Sequence, residues 1–309
     1  MILVNVLLGA CALGLLWAIT TIGVFITYRV LDIPDLTTEG SIVLGAATAS
    51  VAIAAGMSPY LATALAMLAG TGAGIITGLL HTKLRIPALL SGILTMIALY
   101  SVNIRVMNNS ANISLLRMDT VFTPFIEMGH ARNIAVILTG LIFVAAVIAL
   151  IFWFFCTEIG SAVRATGNNA SMAKAQGINT DKSKMQGLAI SNGLIGLSGG
   201  LIAQYLGFSD VQMGQGSIVI GLASLIIGEV LFGKTSFFRT LIAIVFGAIT
   251  YRFIIALVLE AGMRATDLRL FTALTVALAL YLPNIKSRLL SRIKRKGEGV
   301  SDAGSGKHL

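Results

Sequence analysis

The sequence predicts an all-α polytopic membrane protein of about nine transmembrane helices (eight to ten), with an inverted-topology internal repeat. Three observations carry that expectation. Of the 309 residues, 56% are hydrophobic and only 11% are charged, against about 25% charged in a soluble domain, and the mean hydropathy is +0.91. Apolar runs of the roughly 20 residues that a bilayer crossing needs recur from end to end. One apolar segment from the first fifth of the chain returns, altered, in its last third.

The first run begins at Met1 with no Lys or Arg before it. A secretory signal carries a basic stretch ahead of its apolar core, so residues 2–28 read as a retained span. Further spans follow at 38–56, 58–80, 88–107, 131–156, 185–207, 216–233, 237–259 and 269–284. Residues 1–285 form the transmembrane domain and 286–309 a basic tail, holding Lys286, Arg288, Arg292, Lys294, Arg295, Lys296 and Lys307. Basic loops stay on the cytoplasmic side, so the tail is expected there. Counting back places the loops 81–87, 157–184 and 234–236 on the same side; they hold Lys83, Arg85, Arg164, Lys174, Lys182, Lys184 and Lys234. The loops 108–130 and 260–268 and the N-terminus then face outside. The net charge of +9 is a topology signal under this reading, and nucleic acid is not an expected partner; the lipid bilayer is.

The chemistry-bearing residues are few. Cys11 and Cys156 lie inside apolar runs and build neither a disulfide framework nor a metal site. There is no phosphate-binding Gly-Lys-Ser/Thr loop, no zinc-binding His pair and no nucleophile elbow. His81 and His130 flank spans and His308 lies in the tail. The chain is expected to perform no chemistry and to bind no metal or cofactor of its own.

The repeat relates "EGSIVLGAATAS" from Glu39 to "QGSIVIGLASLI" from Gln215. Gly40-Ser41-Ile42-Val43 aligns with Gly216-Ser217-Ile218-Val219, Gly45 with Gly221 and Ala47 with Ala223. A weaker echo pairs "LTMIALY" from Leu94 with "LTVALALY" from Leu274 at nearly the same offset. The copies, about 30–107 and 207–284, start five spans apart. An odd number makes them enter the membrane from opposite sides, the architecture of many transporters. Each copy opens on a helix-breaking approach: "LDIPDLTTEGS", with Pro34, Asp32, Asp35 and Glu39, and "LGFSDVQMGQGS", with Gly207, Gly214 and Gly216. Interruptions at matching positions point to a pathway, since a half-helix N-terminus offers free N–H groups and positive dipole to an anionic group. Thr38, Glu39, Gly40, Ser41, Gln215, Gly216 and Ser217 are therefore the candidate pathway residues. A second reading stays open, in which these are ordinary turns with Thr37 or Thr38 as N-cap and Glu39 favouring the dipole. Glu229 and Arg252 fall inside spans; intramembrane charges face an interior or a partner. They are expected to pair with each other across the seventh and eighth spans, with a substrate contact as the alternative.

One long polar insert interrupts the apolar pattern, "SAVRATGNNASMAKAQGINTDKSKMQGLAIS" from Ser161 to Ser191. Its stretch "NNASMAKAQG" can form a short helix over 168–177, capped by Asn168 or Asn169, with Met172, Ala173 and Gln176 on one side and Gly177 as a stop. Met adapts its shape to a partner groove. Read from composition alone, a basic loop that only fixes topology is an equal alternative.

The residues of this insert resemble a known family. Arg164, Met172, Ala173, Gly177, Ile178, Asn179, Thr180 and Asp181, followed by "GLAISNGLIGLSGGLIAQYLG", are similar to the cytoplasmic coupling loop and next helix of branched-chain amino acid permease-like subunits of ABC importers. The opening "LDIPDLTTEGSIVLGA" resembles a subgroup associated with tryptophan or other amino acids. The resemblance implies that Arg164, Asn168, Met172, Ala173, Lys174, Gly177, Asn179 and Asp181 couple to an ATPase. It further implies ATP and magnesium on that separate subunit, a second permease copy as a homodimer partner, and an extracytoplasmic binding protein delivering a small solute such as an amino acid across a bacterial inner membrane. An ion-coupled secondary carrier shares the inverted repeat and is the alternative, with Glu229 as its intramembrane ion site.

Overall fold

The computed structural model describes residues 2–233 and 236–262, together with 270, 273 and 274. All elements below belong to one unit, Met1–Met263; Arg264–Leu309 forms a second. The expected ninth span at 269–284, its repeat echo from Leu274, the basic tail 286–309 and Lys234 lie outside the described residues, the three single positions excepted.

The helices are α1 (Ile2–Phe25), α2 (Thr37–Ala54), α3 (Pro59–Thr82), α4 (Ala88–Val106), α5 (Thr123–Glu127), α6 (Arg132–Cys156), α7 (Glu158–Asn168), α8 (Ala170–Ala175), α9 (Thr180–Leu206), α10 (Ser217–Phe232) and α11 (Phe237–Glu260). Two short strands, β1 (Asn112–Ser114) and β2 (Phe208–Asp210), pair antiparallel with Ile113 opposite Ser209. α1 runs on through a π-helical turn, Ile26–Val30. The chain then breaks at Asp32, whose φ is +55°, and at Pro34, which has no N–H to continue a helix.

Seven of the described helices are long and apolar enough to cross a membrane, and α10 is a shorter apolar helix of 16 residues. Eight of the nine predicted spans therefore have a helix in place, most within two residues at either end. Two corrections follow. α9 starts at Thr180, five residues before the expected span, because its first turns are polar and project beyond the apolar stretch. The 157–184 segment is not a loop: it holds all of α7, all of α8 and the first turn of α9.

The connections alternate between two ends of the bundle. At one end the β1–β2 ribbon ties the α4–α5 segment to the α9–α10 segment, and Arg132 donates to the Tyr205 carbonyl at 2.6 Å. At the other, Lys184 Nζ lies 3.3 Å from His81 Nε2, Phe155 stacks on Phe237 at 5.0 Å, and Arg164 covers the Phe237 ring at 5.4 Å.

α9 is the spine. Its "SNGLIGLSGG" stretch is buried throughout, and small residues let backbones meet, as helix packing inside a bilayer favours. Gly45 of α2 sits against the Gly196 carbonyl, Gly70 and Gly74 of α3 against the Asn192 and Leu188 carbonyls, and Gly199 against that of Ile42. α1 packs on its other flank, where Thr20 donates to Ser198 at 2.7 Å and Ser191 to the Gly23 carbonyl at 2.7 Å.

A candidate pathway and a coupling segment

α2 begins without a side-chain N-cap of its own. Leu36 holds the cap position, and Asp35 does the work expected of Thr37 or Thr38. Asp35 Oδ1 accepts the Thr37 N–H at 2.9 Å, while Thr38 Oγ1 donates back to the Asp35 carbonyl at 3.0 Å. Asn192 of α9 donates to Asp35 Oδ2 at 2.7 Å and accepts from Ser41 at 2.7 Å. Thr37, Thr77 and Thr95 extend this polar layer across α3 to α4, at 2.7 and 3.0 Å.

One turn further, Glu39 reaches across the bundle. Its Oε1 accepts the N–H of Gly216, the residue before α10, at 3.0 Å. Gly214 lies against the Glu39 carbonyl with no room for a side chain. The two segments aligned in sequence thus touch in space. Their local conformations differ: Gly40 is helical, whereas Gly216 is left-handed with φ +78°. Asn103 of α4 donates to the Gly40 carbonyl at 3.2 Å. A cavity of about 360 Å³ opens beside the junction, reaching from Glu39, Gly40 and Gln215 to the α4 residues 96–103. Thr38, Ser41 and Ser217 are buried next to it and do not line it.

The expected Glu229–Arg252 pair does not form. Glu229 holds Arg29 in a bidentate pair, at 3.0 and 2.6 Å. Gly228 packs on the Ala243 backbone, nine residues and so roughly 13 Å along α11 from Arg252, beyond the reach of a salt bridge. The Arg252 guanidinium instead lies over the Trp17 ring at 4.6 Å. Arg29 escaped notice because it closes the first span, where a basic residue reads as a flank.

The polar insert folds as a helical projection. Thr157 caps α7 by accepting the Gly160 N–H at 3.3 Å, and Gly167 seats α7 against the Val30 carbonyl. Asn169, not Asn168, caps α8, accepting from Met172 at 2.9 Å; Asn168 is the exposed last residue of α7. α8 stops at Gly177, φ +83°, where the Ile178 N–H returns to the Ala173 carbonyl at 3.0 Å. Asn179 then caps α9 through the Lys182 N–H at 3.1 Å, with Asp181 in the first turn. Arg164, Met172, Lys174, Gly177, Asn179 and Asp181 are exposed, Met172 by 62%. Ala173 is the exception: it is 3% exposed and packs into the chain, so Met172, Ala173 and Gln176 do not share one outward side.

Asp35, Asn192, Asn103 and Arg29 are the residues that sequence reasoning underused. Asn192 had a signal, as an amide inside an apolar span.

Residues 6–281 match the family described as the permease component of branched-chain amino acid transport systems. The chain belongs to that family. The permease is 40% identical over 292 residues to a tyrosine transport system permease protein of Clostridioides difficile, covering 92% of this chain and 96% of that one. An uncharacterized protein of Rickettsia prowazekii is 31% identical over 280 residues, 89% of this chain and 97% of its own. An inner membrane ABC transporter permease protein of Escherichia coli is 30% identical over 203 residues, 65% of this chain and 57% of its own. No solved structure matches the permease. The chain is thus a multi-pass membrane permease of an ABC transport system.

Proposed function

We propose that this permease is the pathway subunit of an ATP-driven importer for a small solute, an amino acid handed over by an extracytoplasmic binding protein. It works as a pair of identical chains with two ATPase subunits, in a bacterial inner membrane. The ATPases carry ATP and magnesium; this chain binds no cofactor. The ribbon end faces outside with the N-terminus, and the α7–α8 end and the basic tail 286–309 face the cytoplasm.

The observation that carries the reading is the junction itself: two interrupted helices, α2 and α10, start against each other through Glu39 and Gly216 beside a cavity. Such an arrangement suits an inverted repeat of about 30–107 and 207–284 that opens to alternate sides. The amino-acid assignment is supported by the 40% identity to a tyrosine transport system permease. Motion has a short route from the ATPase. ATP-driven closure of the ATPase pair draws the α8 segments together. Gly167 against Val30 and Gly187 against Leu31 then transmit the movement to the end of α1, next to the break that launches α2. Repacking at such contacts is how small shifts become discrete states.

Purification of the affinity-tagged permease from its native host tests this. A soluble ATPase is expected at near-equal stoichiometry, with uptake of the labelled amino acid abolished when that ATPase is inactivated. Uptake that persists without any ATPase sinks the reading in favour of an ion-coupled carrier.

A further inference from the structure

A half-helix N-terminus inside a membrane ordinarily waits for an anion. Here that position is filled by the protein itself, since Glu39 caps the Gly216 N–H at 3.0 Å. What the cavity presents to a solute is therefore reversed. Of its lining residues, Glu39 carries the one formal charge, and no Lys or Arg lines it. Asn103 supplies a second acceptor. Its Nδ2 is committed to the Gly40 carbonyl at 3.2 Å, which fixes the amide orientation and leaves Oδ1 as the remaining atom. That oxygen is buried, within a side chain only 1% exposed, and has no hydrogen-bond partner among the described residues. A buried acceptor of this kind costs free energy unless something donates to it. Met96, Ile97 and the half-exposed Tyr100, on the same helix as Asn103, complete the lining on that side.

We infer that the cavity binds the ammonium end of the solute, with Glu39 and Asn103 Oδ1 accepting its N–H groups and its side chain lying along Met96, Ile97 and Tyr100. The ligand class is a primary ammonium attached to an apolar or aromatic body. The inference rests on the proposed amino-acid pathway and adds to it which end of the amino acid is recognised. An ammonium brings three donors and a positive charge, so its chemistry matches both acceptors. A carboxylate brings only acceptors and meets the Glu39 charge. A volume of about 360 Å³ falls within the range of roughly 300–1,000 Å³ typical of small-molecule sites.

The test uses the full-length permease purified in detergent and three probes: L-tyrosine, tyramine, which keeps the ammonium and lacks the carboxylate, and 3-(4-hydroxyphenyl)propionate, which keeps the carboxylate and lacks the ammonium. L-tyrosine and tyramine are expected to raise the melting temperature, and the propionate is not. Glu39→Gln keeps a side-chain oxygen to cap Gly216 and removes the charge; it should fold at normal yield and lose the tyramine shift. Asn103→Leu should lose it too. Stabilisation by the propionate equal to that by tyramine overturns the inference, as does an unchanged tyramine shift in Glu39→Gln, or no shift with any probe. Uptake by the permease–ATPase complex is measured in parallel. ATP-driven tyrosine uptake with the wrong probe pattern removes the ammonium assignment and leaves the pathway standing; loss of ATP dependence removes the pathway reading itself.

Discussion

Asn192 shows how much one side chain holds at the residue scale. It donates to Asp35 at 2.7 Å and accepts from Ser41 at 2.7 Å, linking the spine to the first turn of α2. Asn192→Leu conserves approximate volume and leaves a buried carboxyl without that donor and a serine without its acceptor. The cost is expected on the order of a few kcal/mol, about 1–3 kcal/mol for each buried group left without its partner. A lowered melting temperature in detergent checks it, and an Asn192→Leu protein melting with its parent rejects this account of the junction. At this scale the sequence was only partly legible. Glu229 and Arg252 were readable as costly intramembrane charges, but their partners depend on axial register between helices, which one sequence does not display. Glu39 was readable as an acid at a helix start; its partner lies 177 residues away.

At the element scale, α8 is a short link in the proposed coupling route. Six residues are too few to be stable by propensity alone, so its caps decide whether it exists. Asn169→Ala removes the acceptor for the Met172 N–H and costs about 1 kcal/mol of local stability; faster amide exchange over 170–175 reads it. Met172→Asp is different in kind. The side chain is 62% exposed, so the permease should insert at normal yield, yet ATPase retained per permease and its stimulated hydrolysis should fall. Parent-level values for both remove α8 from the coupling contact. The spans were legible because length and hydropathy fix them. α7 was not, because its 11 residues carry Arg164, Gly160 and Gly167 in a stretch poor in apolar residues. Its helix is maintained by packing on Val30 and by the Thr157 cap, neither of which leaves a hydropathy signal.

For the whole molecule, the sidedness of the loops makes two checks. In a background lacking Cys11 and Cys156, a cysteine at Ser171 should be shielded from a membrane-impermeant thiol reagent in intact cells, and one at Ser114 should react; the reverse pattern inverts the proposed orientation. Two glycines test the spine. Gly45→Ala sets a methyl into the Gly196 backbone, whereas Gly72→Ala meets nothing within 4 Å. The first should lower the yield of folded permease sharply. The second should be neutral or stabilising by up to about 1 kcal/mol, the helix-propensity difference. The contrast between the spine and the α2–α10 junction has a mechanical meaning. Along α9, backbones are interlocked over four successive glycine contacts, so shear there must break packing everywhere at once. Between α2 and α10, the Gly216 N–H donates to Glu39 across the gap at 3.0 Å. A stiff beam joined to a lighter latch concentrates displacement at the latch, so on the proposed coupling route a pull delivered through α1 is expected to shift the α2–α10 junction before the spine.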